Sequence, residues 1–227
     1  MSCCQLDNEL WFPPLEEAED YGLLAVGGDL TPERLLLAYS LGIFPWYNAG
    51  EPILWWSPDP RCVLFPAKLH VSRSLQRFLG KCSYRISFNE NFAGVIYWCR
   101  RLRVALDGSG TWITPEMKQA YTRLHELGFA HSIECWDDDQ LVGGLYGICI
   151  GRCFFGESMF SRRKNASKVV LIHLLGYLQQ KGFKMLDCQQ PTDHLLSMGA
   201  EEISRQEFVR YLEQAEVPPH GPLVSQF

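Results

Sequence analysis

The chain has 227 residues, 47% hydrophobic and 21% charged, with a formal net charge of −5. That is the balance of a globular protein with room for one large domain or for a small one attached to a larger. No apolar run approaches the roughly 18 residues of a membrane-spanning helix, and the opening MSCCQLDNELWFPP has neither a basic start nor the apolar stretch of a secretory signal. Nine scattered cysteines, without a CxxC pair or histidine partners at zinc spacing, argue against a disulfide framework or a metal site. A soluble cytosolic protein with reduced, mostly buried thiols is expected.

Residues 1–62 read as a small N-terminal domain. Thr31 caps a helix that has Pro32 at its first position and Glu33 in its first turn, and Gly42 stops it. Phe44, Trp46, Tyr47, Trp55 and Trp56 follow at a density typical of a core or domain interface, and also suited to stacking on bases.

Residues 63–227 read as the main domain, opening on a basic segment. From Arg61 to Arg103 nine Lys and Arg residues meet a single acid, Glu90, leaving the rest of the chain at −13. Such asymmetry is the footprint of a protein that meets a phosphate backbone. Ser72 caps a helix on which Arg73 and Arg77, with Lys81 just beyond its end, form one cationic ridge at i, i+4, i+8 spacing. A short strand (84–88), a helix capped by Asn89, a loop (106–112) and a helix from Thr114-Pro115 to Gly128 come next. AHSIECW, LVGGLYGICI and CFFGESMF then read as an antiparallel meander, with a bulge or a close backbone approach at Gly143 and Gly144. Ser204 and Glu207 form the capping box of a last helix.

The centre of the chain is Cys153–Gln189, which reads strand, basic loop, helix, strand. Alternation along a strand puts Glu157 and Met159 on one face of the first strand and Asp187 and Gln189 on one face of the last, with Cys188 pointing away. A crossover of this length sets the two strands parallel and adjacent, bringing two carboxylates and an amide together. The bland alternative is a structural ion pair of these carboxylates with Arg162 or Arg163. Strands leading into strand, loop, helix, strand resemble the N-acetyltransferase (GNAT) organisation, so an α+β GNAT-like fold is expected. The loop, Arg162-x-x-Asn165-x-Ser167, lacks the glycines with which those enzymes hold a CoA pyrophosphate, and its cations suit the phosphates of an RNA end better.

GLLAVGGDL, AYSLGIFPWY, ILWWSPDPR, GTWIT, AYTRLHELG, AHSIE, LVGGLYG, GESMFSR, NASK and LDCQ, in that order across nearly the whole chain, together resemble the leucyl/phenylalanyl-tRNA–protein transferases. The resemblance implies a cytoplasmic aminoacyltransferase of the N-end rule pathway. It would move Leu or Phe, and by extension Met, from aminoacyl-tRNA onto the N-terminal α-amine of proteins beginning with Arg or Lys, as a monomer and without a cofactor. On this reading Asp187 holds and helps deprotonate the amine, Gln189 orients it, and Glu157 meets the acceptor's cationic side chain or relays charge. The resemblance also implies an apolar pocket walled by Leu145, Phe154, Leu171, Leu174 and Leu178, and places Tyr39, Trp46 and Trp112 around the terminal adenosine. This chain departs from the family pattern at Leu145, where the family has Met, and at Thr192, where it often has Asn. The two rival readings are an acetyl-CoA-dependent acetyltransferase and a non-catalytic tRNA-binding module.

Overall fold

The computed structural model describes residues 3–107, 111–217 and 225–227. Four short strands, β1 (Cys4–Leu6), β2 (Leu23–Gly27), β3 (Phe44–Pro45) and β4 (Leu54–Trp56), form a sheet in the order β1-β2-β4-β3. Helix α1 (Pro32–Ser40) lies between β2 and β3 in sequence, and the Thr31 side chain accepts from the Arg34 amide at its start.

The second sheet begins with β5 (Arg61–Leu64). After α2 (Arg73–Leu79) come β6 (Arg85–Phe88), α3 (Phe92–Asp107), α4 (Pro115–Glu126), β7 (Ala130–Asp137), β8 (Gln140–Ile150) and β9 (Cys153–Ser161). Helix α5 (Ala166–Gln180) then leads to β10 (Met185–Gln189), followed by α6 (Asp193–Ser197), β11 (Glu201–Ile203) and α7 (Arg205–Gln214). Seven strands pair in the order β11-β5-β10-β9-β8-β7-β6, every pair antiparallel except β10–β9, which α5 joins as a parallel pair. The class is α+β, with the meander and the crossover read from the sequence.

Side-chain caps at Ser72, Thr114 and Ser204 each accept an amide proton three residues on. Asn89 does not cap α3. Its backbone is left-handed (φ 58°), its side chain reaches His131 and Ser132 across the sheet, and Asn91 accepts the Gly94 amide instead. The loop expected at 106–112 starts inside α3, and its residues 108–110 lie outside those described.

Gly143 and Gly144 mark both features expected of them. A Cβ at Gly143 would stand 2.7 Å from the Ala166 Cβ, so glycine there lets the start of α5 settle against β8. Next to it β8 carries an extra residue, Val142, because Cys135 pairs with Gly143 and Trp136 with Leu141.

The sheet is covered on two faces. Tyr146, Ile148, Ile150 and Phe155 belong to a buried cluster with residues of α1, α3, α4 and the N-terminal sheet. Ile133, Leu145, Cys149 and Phe154 belong to another with Leu75 of α2 and the apolar side of α5.

Candidate active site

Two further bulges shape the site. In β9, Tyr146 pairs with Ser158 but Gly147 with Gly156, so Glu157 is the extra residue. In β10, Asp187 pairs with Val63 but Gln189 with Cys62, so Cys188 is the extra residue. The β9–β10 ladder stops at Phe155↔Asp187 although β9 runs on to Ser161. Beyond that point a cavity of about 300 Å³ opens, lined by Gly156, Glu157, Ser158 and Met159 from β9 and by Asp187, Cys188 and Gln189 from β10. Consecutive residues of β9 reach one cavity because a bulge suspends the two-residue alternation of a strand. Cys188 also borders the cavity, but its side chain packs with Cys62 and Leu186 in the cluster beside α5, on the face away from Asp187, as alternation predicts.

Glu157 and Gln189 meet as expected, with Gln189 Nε2 donating to Glu157 Oε1 at 3.0 Å. Gln189 holds a left-handed backbone (φ 62°), a strained conformation for a side-chain-bearing residue of the kind that persists at functional sites.

Asp187 is placed differently from the sequence expectation. Its Oδ1 accepts from Arg61 Nε at 2.9 Å and its Oδ2 from Arg61 Nη2 at 2.7 Å. Both residues are essentially unexposed. Arg61 Nη1 also donates to Gly42 O, and its guanidinium lies between the rings of Phe44 and Phe208, 4.7 and 4.6 Å from their centroids. Oδ1 additionally accepts the Gln189 amide at 2.9 Å. Asp187 is thus a carboxylate paired with Arg61 that fixes the backbone of Gln189. The ion pair weighed in the sequence does exist, but with another partner. Arg162 stacks on Trp98 at 3.8 Å and donates to Leu141 O, and Arg163 faces Asp137 at 3.9 Å.

Glu157 is buried and carries the unusual chemistry. Tyr39 donates to Oε1 at 2.6 Å and Tyr121 to Oε2 at 2.8 Å, while the two phenol oxygens are 2.5 Å apart. Three short oxygen–oxygen contacts close a triangle for which the two phenols supply only two protons. A third proton, on Glu157, completes it when one phenol accepts from the carboxyl and donates to the other phenol. Burial pushes the Glu157 carboxyl up to about 7, Asp187 adds to the rise, and the Tyr39 and Tyr121 hydrogen bonds oppose it. Glu157 therefore exchanges a proton near neutral pH.

That shift has a stability consequence. The folded protein holds a proton on Glu157 between about 4.5 and about 7, which the unfolded chain has already lost. Stability is thus fully present below about 4.5 and falls as pH rises through about 7, by about 3 kcal/mol. Urea unfolding at pH about 5 and about 8 should show this loss in the native protein and not in Glu157→Gln.

The remaining expected residues divide. Trp46 (41% exposed) and half-buried Trp112 line the cavity and have ring surface for stacking. Tyr39 does not; it is fully buried, edge-on to Phe155, and its hydroxyl is engaged by Glu157. Of the expected apolar wall only Leu145 lines the cavity. Phe154 faces Phe227 at 5.4 Å, and Leu171, Leu174 and Leu178 are wholly buried in the cluster behind Leu145 and Leu186. Arg73, Arg77 and Lys81 are exposed and form no ion pair among the described residues, but none lines the cavity. Sequence reasoning missed Tyr121, Arg61 in its buried role, and Arg103, which lines the cavity from α3. For Tyr121 a signal existed. It shares the apolar helical face of Met117, Ala120 and Leu124, and a buried tyrosine needs a partner for its hydroxyl.

Among the described residues no group of three or more His, Cys, Asp or Glu is placed to hold a metal, and no helix is long and apolar enough to cross a membrane. Comparison with known proteins matches the family model described as leucyl/phenylalanyl-tRNA protein transferase to residues 63–213, and that of its N-terminal domain to residues 28–59. The chain is 55% identical to a leucyl/phenylalanyl-tRNA–protein transferase of Syntrophotalea carbinolica, with 100% of both chains covered. It is 57% identical to one of Syntrophobacter fumaroxidans, covering 94% of this chain and 91% of that one. An aminoglycoside acetyltransferase from an uncultured soil metagenomic sample overlaps it with a TM-score of 0.40 and 16% identity, over 63% of this chain and 93% of that one. That overlap is too loose to carry an argument. With relatives this similar along its whole length, the chain belongs to the leucyl/phenylalanyl-tRNA–protein transferase family.

Proposed function

We propose that the chain transfers Leu or Phe from the 3′ end of a charged tRNA to the α-amine of proteins beginning with Arg or Lys, in the cytoplasm, in the cavity between β9 and β10. The observation that carries the reading is a buried carboxyl on the wall of that cavity, held by Tyr39, Tyr121 and Gln189, which burial pushes up to about 7. An α-amine has an unperturbed pKa of about 8, so a base of pKa about 7 is matched to it. As the neutral amine attacks the ester carbonyl, the C–N bond forms and the nitrogen's proton passes to ionised Glu157. The ester C–O bond then breaks, and the proton passes from Glu157 to the departing ribose oxygen. Tyr39 and Tyr121 hold the carboxylate, and Gln189 spans from it to the cavity. Glu157 thereby takes the role first given to Asp187, which positions Gln189 instead. The aminoacyl ester is already activated, so the reaction calls for no cofactor, and every group invoked lies on one chain.

Trp46 and Trp112 supply stacking surface for the terminal adenosine, each worth about 1–3 kcal/mol. The uncompensated Arg73, Arg77 and Lys81 supply phosphate contacts. Replacing these three by Gln is expected to weaken tRNA binding and to flatten its dependence on log salt by about 1 for each phosphate no longer neutralised. Filter binding across a salt series reads this, and an unchanged slope would remove α2 from the interface.

The reading is tested by transfer of radiolabelled Leu from charged tRNA to a peptide beginning with Arg, beside the same peptide with an acetylated N-terminus. Label on the free amine alone supports it; no label on either, from Leu- or Phe-charged tRNA, rejects it.

A further inference from the structure

One pair of groups near the cavity has no part in the transfer chemistry. Cys62 of β5 and Cys188 of β10 sit on neighbouring antiparallel strands, where Gln189 pairs with Cys62 and the bulged Cys188 stands opposite the Val63–Cys62 link. Both side chains belong to the same face of the sheet, Cys62 in the buried cluster with Leu64 and Leu186 and Cys188 packed against it. Gln189 is directly opposed to Cys62, at the Cα spacing of about 4.5–5.5 Å of such a pair. The bulged Cys188 stands next to it at the same link, and a disulfide spans Cα separations of about 4.4–6.8 Å. Cys62 is wholly buried, whereas half-buried Cys188 lines the cavity and is reachable from it.

We propose that Cys62 and Cys188 form a peroxide-responsive thiol pair whose oxidation to a disulfide switches off the adjoining site. The Cys188 thiol donates to Leu186 O at 3.8 Å, and the two thiols perturb each other, Cys188 lowering the pKa of Cys62 and Cys62 raising that of Cys188. Cys62, the more acidic of the two, releases its proton to solvent, and Cys188 passes its own to the Cys62 thiolate, which leaves the negative charge on Cys188. The Cys188 thiolate attacks one oxygen of a peroxide reaching it through the cavity, the O–O bond breaks, and hydroxide leaves to take a proton from solvent. The Cys62 thiol then attacks the Cys188 sulfenic sulfur, the S–S bond forms, the S–O bond breaks, and water leaves. Two thiols and one peroxide give one disulfide and two waters.

Drawing the sulfurs together into a bond of about 2.05 Å must move the β10 bulge. That bulge carries Asp187 on one side and Gln189, with its donor to Glu157, on the other. A displacement of about 1 Å there is expected to slow transfer about 10²-fold. This consequence rests on the proposed function; the disulfide itself does not.

The test treats the full chain with increasing hydrogen peroxide, maps disulfides by peptide mass spectrometry, and assays transfer before and after dithiothreitol. The expected result is a linked peptide joining Cys62 to Cys188, forming before half-buried Cys3, Cys4 and Cys82 are oxidised. Loss of transfer should track that peptide and be reversed by reductant. In Cys62→Ser the linked peptide disappears, and Cys188 is captured as a sulfenic acid by dimedone. No Cys62–Cys188 link in protein whose other thiols have already reacted would overturn the proposal, as would a complete link with transfer unaltered. Because mapping needs no substrate, a reduced protein that shows no transfer at all would count against the functional reading and not against the thiol pair.

Discussion

Replacing Arg61 by Leu is expected to destabilise the protein by about 3–5 kcal/mol, a large part of the about 5–15 kcal/mol that holds an ordinary domain together. The cost comes from what remains. Asp187 would be left charged in a position with no solvent exposure, deprived of two short hydrogen bonds. The guanidinium also ties three parts of the chain, bonding Gly42 after α1, pairing with β10, and filling the gap between Phe44 of β3 and Phe208 of α7. Combining Arg61→Met with Asp187→Leu should cost markedly less than Arg61→Leu alone, because no buried charge is orphaned. Urea denaturation of the two variants checks this. A loss of about 1 kcal/mol or less for the single change would mean that the pair behaves like a surface ion pair.

Glu157→Gln is expected to lower transfer by about 10² to 10⁴-fold, the usual contribution of a positioned acid–base group, with little effect on folding. An amide fits the triangle, since its oxygen accepts from one phenol and its nitrogen donates to the other, so all three contacts keep a proton. What it cannot do is take the amine's proton. The loss should appear in kcat and kcat/KM alike, because the interaction matters only as the amine attacks. Tyr121→Phe gives a milder expectation. Glu157 loses one donor and its carboxyl rises further, so the alkaline shift of the rate profile exceeds the loss of maximal rate.

The parts of this fold that were readable from sequence are those fixed by neighbours along the chain. Thr31, Ser72, Thr114 and Ser204 announce their helices because the amide each one accepts lies three residues away. The meander and the crossover follow from short turns and from the length of α5. The convergence of Glu157 and Gln189 could likewise be read, since parallel pairing of β9 with β10 is enough to bring them together.

The parts that could not be read are long-range or depend on a single inserted residue. Arg61 and Asp187 lie 126 residues apart, and in a run of nine cations nothing in the sequence tells the one buried arginine from those that face water. Tyr39 reads equally well as a stacking ring or as a buried hydroxyl until Glu157, 118 residues on, is set beside it. The bulges at Glu157 and Cys188 leave no mark in the alternation of apolar and polar residues. Only the ladder shows that three consecutive residues of β10 reach one cavity.

The central claim is that an ionised Glu157 accepts the amine's proton during transfer. Single-turnover transfer from Leu-charged tRNA to an Arg-initiated peptide, followed from pH about 6 to about 9 in the native protein and in Glu157→Gln, tests it most directly. The native rate should rise through two ionisations, one near 7 from Glu157 and one near about 8 from the amine. The variant should be slower by at least about 10²-fold and keep only the ionisation of the amine. A variant with the native rate and both ionisations would contradict the account and move proton transfer away from Glu157.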